Sequence, residues 1–442
     1  MSALLRRIAA AGSVFTAAMV VLVLTEARLG TPIFFACAAA ASLAYVSMLA
    51  LIWRGAVPPV PPILPVPPLL PVRPFVLALG FALLFRAILA TSPIGPGNDM
   101  FRYIWDGRIQ RLGYNPYAVL PSDPALAAIH ADDTTRLMPS RNSRTPYPPA
   151  AELVFRLVVT VSESVYFMRS VMVLFDLLTI FFIWRWLQVT GRSEWLTLAY
   201  AWNPLVVLEN AFSGHVDALC MMWIAACAYM LARRRTALAS SAFALAVASK
   251  LLPIVLVPLL WGRIRVRDAA LGVVWLILLY LPFSSGSNPF IEVTKVVDQI
   301  RFNGPLFLAI IQVTTPKVAA AVALLAGLAV AAFCRFRLAP DDPAAWAWPM
   351  AASLAFAPVV YPWYLLSLAP FLLLPATLPL AVWTLTVMSV YVVWELAMSG
   401  APWVVPTLVL FLEYGVVLAA AVVAPVVATN VVQAFRPAGR TT

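Results

Sequence analysis

Residues 97–117 read GNDMFRYIWDGRIQRLGYNPY, the most polar and aromatic passage in an otherwise apolar chain. An apolar run ending near Ala90 delivers the chain to it. Helical phasing puts Asp99, Arg102, Tyr103 and Asp106 at i, i+3, i+4 and i+7, so all four share one face of a short helix. Trp105, Arg108, Gln110 and the Asn115-Pro116-Tyr117 turn follow at once. Two carboxylates, a guanidinium and a phenol gathered beside a membrane make a candidate reaction site, since sites join apolar walls to a few convergent polar groups. The plainer alternative is a capped helix, with Asn98 or Asp99 as the cap and Arg102 and Asp106 as an i,i+4 ion pair.

The surroundings set the fold class. Of the 442 residues, 63% are hydrophobic and 11% charged, against about 25% charged in a soluble domain. The chain is therefore an all-α polytopic membrane protein, a bundle of about 12–14 transmembrane or re-entrant helices with a small loop subdomain. A net charge of +11 would suit nucleic acid, but the basic residues lie in short loops between apolar runs. That is the positive-inside pattern, so the bilayer and not nucleic acid is the expected partner. Cys37, Cys220, Cys227 and Cys334 all fall inside apolar runs and read as small hydrophobes. Two histidines, His130 and His215, are too few for a histidine-rich metal site.

Apolar runs at 8–24 and 32–53 form an N-terminal helical pair (1–54), with Arg6 and Arg7 holding an uncleaved N-terminus in the cytoplasm. The proline-rich stretch 57–74 cannot be an ordinary helix and reads as an extended cytoplasmic linker (55–74), with partner docking as the alternative. Next comes a membrane core (75–364) and then a set of C-terminal helices (365–442). The third run leads out to a first extracytoplasmic loop, 92–164, long enough to be functional. It carries Asp123, His130, Asp132, Asp133, Arg136, Arg141, Arg144 and Tyr147-Pro148-Pro149, then an amphipathic interfacial helix at 150–161. Runs at 166–187 and 195–212 reach the turn Ser213-Gly214-His215-Val216-Asp217. Residues 236–262 begin and end beside arginine clusters, so they double back near Ser249-Lys250 as a re-entrant hairpin. Further spans cover 268–283, 318–333 and 344–360, and three segments end near 374, 396 and 427. Both termini then lie in the cytoplasm.

No phosphate-binding loop, dinucleotide fingerprint or nucleophile elbow occurs in a supporting context, which leaves carboxylate chemistry. Asp99 or Asp106 could take a proton from an attacking hydroxyl, best when burial raises its pKa. Arg102, Arg108, Lys250 and Arg301 could hold a phosphate. Lys250 lies in an apolar hairpin, where a functional role competes with snorkelling to the cytoplasmic face. His215 and Asp217 either bind substrate or cap the next helix. Tyr361, Trp363 and Tyr364 suit an interfacial aromatic belt, with sugar stacking as the alternative.

Taken together, Asp99, Arg102-Tyr103, Trp105-Asp106-Gly107-Arg108, Gly113-Tyr114-Asn115-Pro116-Tyr117, Tyr147-Pro148-Pro149, Gly214-His215-Val216-Asp217 and Lys250 with Pro253 resemble the GT-C class of integral-membrane glycosyltransferases. The resemblance is to the polyprenyl-phosphate-mannose-dependent mannosyltransferases and their family 87 relatives, and covers residues 75–364. It implies a hexose, normally mannose, carried on a polyprenyl phosphate. Inverting transfer would deliver it to a lipid-linked or cell-envelope glycan outside the cytoplasm. It also implies that Asp99 is the base. Arg102 and Asp106 would orient it or the sugar, and Lys250 and Arg301 would face the donor phosphate. Tyr103, Arg108, Asn115, Tyr117, Tyr147, His215, Asp217, Tyr361 and Trp363 complete the binding candidates. No cofactor or metal is expected, although tandem acids such as Asp132-Asp133 bind metal in some GT-C enzymes. A lipid-linked sugar transporter or flippase is the rival reading, since Asn203-Pro204 and the Lys250 hairpin would suit broken helices.

Overall fold

The computed structural model describes residues 3–55, 74–95, 97–130, 133–285 and 287–434. The proline-rich linker before Pro74 and Asp132 of the tandem acidic pair lie outside them. Among the described residues no strand forms beyond one parallel bridge between Phe302 and Val359. Among the described residues seven helices are long and apolar enough to cross a bilayer: Ala3–Leu24 (α1), Pro32–Trp53 (α2), Val165–Val189, Val266–Phe283, Pro316–Arg337, Pro375–Met398 and Thr407–Val427. Pro74–Leu89 (α3), Asp217–Ala232 and Thr236–Ser249 are shorter apolar helices. The protein is thus an all-α polytopic membrane protein, whose helices satisfy their own backbone groups in lipid.

One apolar core runs through the bundle. Phe15 of α1 stacks on Phe85 of α3 at 4.0 Å, and the Tyr45 hydroxyl of α2 donates to the Ala199 carbonyl at 2.9 Å. One charge pair lies inside this core. Arg86 of α3 meets Asp176 at 2.5 Å, and the Tyr200 hydroxyl donates to the same carboxylate at 2.7 Å. All four cysteines are free and buried.

The hairpin at 236–262 forms as expected. Thr236–Ser249 and Val266–Tyr280 run parallel, since Thr236 donates to Asp268, Trp275 to Ser241, and Ala248 packs with Leu279. The chain between them must therefore return, and it breaks at Lys250, which is extended (φ −156°, ψ 138°). Two spans require correction. Residues 195–212 are not one helix but short pieces: Thr197–Ala201, Pro204–Val207 and a π-helical turn Leu208–Phe212. Pro204 has no N–H to continue the helix, and Asn203 caps the new start by accepting from Leu205 and Val206. The span at 344–360 stops at Ala355, and a 3-10 run Pro362–Phe371 follows the bridge at Val359.

At one end of the bundle the loop helix Asp99–Arg111 (α4) lies against the helix Pro149–Val161. Gly107 is the contact: a Cβ there would stand 2.5 Å from the Phe155 carbonyl oxygen. The second loop joins the first, with the Arg144 amide donating to Glu292 and Lys295 to Ser143. Together they form the small loop subdomain over the helix ends.

Candidate active site

Asn98 caps α4 by accepting from the Met100 amide at 2.8 Å, and its side-chain amide donates to the Ser213 carbonyl at 3.0 Å. The first turn of α4 is thereby fixed against the 213–217 turn. Gly214 makes the approach possible: its φ is +70°, and a Cβ would meet the Met100 sulfur at 2.5 Å. The Val216 amide donates to the Tyr103 hydroxyl at 3.3 Å. Arg169 stitches the approach from below, donating to the carbonyls of Ala90 and Ser92 at 2.6 Å each.

Around this junction the structure gathers Asp99, Tyr103, Tyr147, His215, Asp217, Lys250, Tyr361 and Trp363. His215 is the hub. Its Nδ1 lies 3.7 Å from Asp99 Oδ2, its Nε2 lies 3.0 Å from Glu209 Oε2, and its ring stacks on Trp363 at 4.3 Å. Lys250 pairs with Asp217 and sits 4.2 Å above the Tyr364 ring, so snorkelling to the far face is ruled out by its position. Asp217 does not serve as a side-chain cap. Exposure sorts the groups: the side chains of Asp99 and Lys250 are 27% and 21% exposed, whereas Asp217 and Glu209 are 3% and 0%. A substrate can therefore reach one carboxylate and one ammonium. Burial pushes the Asp99 carboxyl above its ordinary value, while the His215 ring and the neighbouring Tyr147 hydroxyl pull it back. Burial works against charge on His215, but Glu209, Asp99 and Asp217 outweigh it and raise its pKa.

Other candidates are held elsewhere. Arg102 and Asp106 form the buried i,i+4 ion pair at 2.9 Å, and Arg102 also donates to the carbonyls of Ser140 and Ser143. Asp106 lies beside Glu152, which accepts from Thr145 and Gln110, so this pair secures the loop fold and is closed to a substrate. Arg108 grips Glu163 at 2.6 Å. Asn115 donates to the carbonyls of Phe283 and Ser285, tying the first loop to the end of the helix Val266–Phe283. Tyr117 donates to the Tyr147 carbonyl at 2.6 Å and so sets the position of that residue. Arg301 closes its own helix end by donating to Val297, Asp298 and Ile300. Trp363 presents no open ring, because His215 covers one side and Tyr361 stacks on it at 4.6 Å. These aromatic side chains line one wall of the cluster.

Glu209 and Tyr391 were not among the candidates. A lone carboxylate in an apolar segment was the available signal for Glu209. Among the described residues no three His, Cys, Asp or Glu side chains gather into a metal-binding group.

Residues 76–264 match a family model described as alpha-(1->6)-mannopyranosyltransferase, N-terminal domain. This stretch contains α4, the 213–217 turn and Lys250. Over this stretch the chain is similar to that mannosyltransferase domain, and the protein is a membrane glycosyltransferase. No curated protein and no solved structure matches it. The site offers one reachable carboxylate, Asp99, and one reachable cation, Lys250.

Proposed function

We propose that this mannosyltransferase takes its hexose from a polyprenyl phosphate and passes it, with inversion, to a lipid-linked or cell-envelope glycan outside the cytoplasm. The observation that carries this reading is the partly exposed Asp99 and Lys250 in one cluster at a helix-bundle end. Asp99 takes the proton from the acceptor hydroxyl as its oxygen attacks the anomeric carbon. The bond from that carbon to the phosphate oxygen breaks, and Lys250 balances the charge on the departing phosphate. Lys250 has three donors, so pairing with Asp217 leaves capacity for a phosphate. Attack opposite the leaving phosphate inverts the carbon. Mannose, and an α-1,6 linkage, are suggested by the printed description of the matched family.

The arginine clusters at 233–235, 263–267 and 335–337 support the orientation, because they lie at the opposite helix ends from Lys250 and mark a cytoplasmic face. Nucleotide sugars are confined to that face, which favours a lipid-borne donor. In this reading side chains provide both the base and the counter-charge, and excess EDTA tests whether a divalent metal is also needed.

The test uses purified protein in proteoliposomes, excess EDTA, and mannose labelled either on polyprenyl phosphate or on a nucleoside diphosphate. Transfer from the lipid donor alone, with the opposite anomeric configuration in the product, is the expected result. Transfer from the nucleotide sugar, or retention of configuration, overturns the donor assignment. Label crossing the bilayer without transfer hands the case to a lipid-linked sugar transporter.

A further inference from the structure

We propose that Glu209 is a positioning residue for the base, holding His215 so that the imidazole keeps a positive charge beside Asp99, with Tyr391 holding Glu209 in turn. The inference rests on the reading of Asp99 as the base. Glu209 is the single charged residue between positions 195 and 212 and is fully buried. It sits in the π-helical turn Leu208–Phe212, a distortion that recurs at functional sites. An unpaired carboxylate there would be costly, and the structure gives it two partners. The Tyr391 hydroxyl donates to Oε1, and His215 Nε2 lies 3.0 Å from Oε2. The His215 amide also donates to the Glu209 carbonyl at 3.0 Å, which fixes the turn itself.

With Nε2 committed to Glu209, Nδ1 is the nitrogen left to face Asp99, and stacking on Trp363 sets the ring plane. A carboxylate that orients an imidazole and selects its protonation is a known device in catalysis. The charges around the ring agree. Asp99 approaches from α4, Glu209 from the π turn, and Asp217 and Lys250 from the two following helices. Asp217 and Lys250 neutralise each other. The phenols of Tyr103, Tyr147, Tyr361 and Tyr364 stay neutral. One imidazolium between two carboxylates remains, and it favours the ionised base before the hydroxyl proton arrives. The imidazolium itself neither gains nor loses a proton in the transfer.

Glu209→Gln keeps shape and removes the charge. In the enzyme assay its acidic limb of kcat should move up by about one pH unit, with KM for the lipid donor unchanged. The chain has only two histidines, so their side-chain NMR signals can be followed directly, with His215→Asn identifying the second. The His215 titration should fall by about one pH unit in Glu209→Gln. Tyr391→Phe should move both readouts the same way by less, and it stands in if the first variant does not fold. An unmoved acidic limb together with an unmoved His215 titration overturns the proposal. If the wild type transfers from no lipid donor, the functional reading fails, while the NMR titration still decides whether Glu209 holds the charge on His215.

Discussion

Asp99 and Asp106 stand two helical turns apart on one face, yet their surroundings separate their roles. Asp99 is reachable and faces His215, whereas Asp106 is sealed against Arg102. Removing one partner of a buried ion pair strands the other charge and costs about 3–5 kcal/mol. Asp106→Ala should therefore lower the melting temperature of the purified protein and lose transfer only as folded protein is lost. A stable Asp106→Ala protein without activity would instead place Asp106 in the chemistry. Much of this was legible in sequence. Asp99, Tyr103, Tyr147, His215 and Lys250 stood out as polar groups beside apolar runs, whereas the i,i+4 spacing of Arg102 and Asp106 offered their pairing only as the alternative to a binding role. Arg108 with Glu163, and Glu209 with Tyr391, were not legible, because 55 and 182 residues separate the partners and no local period links them. Arg301 misled for a different reason, since an arginine at a helix end can satisfy itself on nearby carbonyls.

Among the elements, α4 is placed by close packing as much as by its cap. Gly107 lets the helix backbone touch that of Pro149–Val161, where a Cβ meets a carbonyl oxygen and not a flexible side chain. Gly107→Val should destabilise the protein by about 1–3 kcal/mol through overpacking, read as a lower melting temperature in detergent. An unchanged melting temperature would mean that the two helices are free to separate. Helix breaks were legible where proline or a charge interrupts an apolar run, as at Lys250 with Pro253. The segment 195–212 was harder: its hydropathy is continuous, and only Asn203-Pro204 hints that it divides. The π turn that carries Glu209 has no sequence signature, since it follows from the tertiary contacts of that carboxylate.

On the scale of the whole molecule, composition alone specified a helical membrane protein, because so few charges cannot cover a soluble surface. The order of arginine clusters also foretold which helix ends meet, and Lys250 lies with Asp217 at one end as that parity requires. Packing between distant segments was beyond it. α1 and α2 share the common core, which a hydropathy profile cannot reveal. Asp99, the reachable carboxylate of the cluster, is proposed as the base toward a lipid-borne sugar. The most direct test is single-turnover transfer from labelled polyprenyl-phosphate mannose by purified wild-type and Asp99→Asn protein, matched for melting temperature. A general base contributes about 10²–10⁴-fold, so Asp99→Asn should lose at least that much with folding intact. Turnover by Asp99→Asn at the wild-type rate would contradict it.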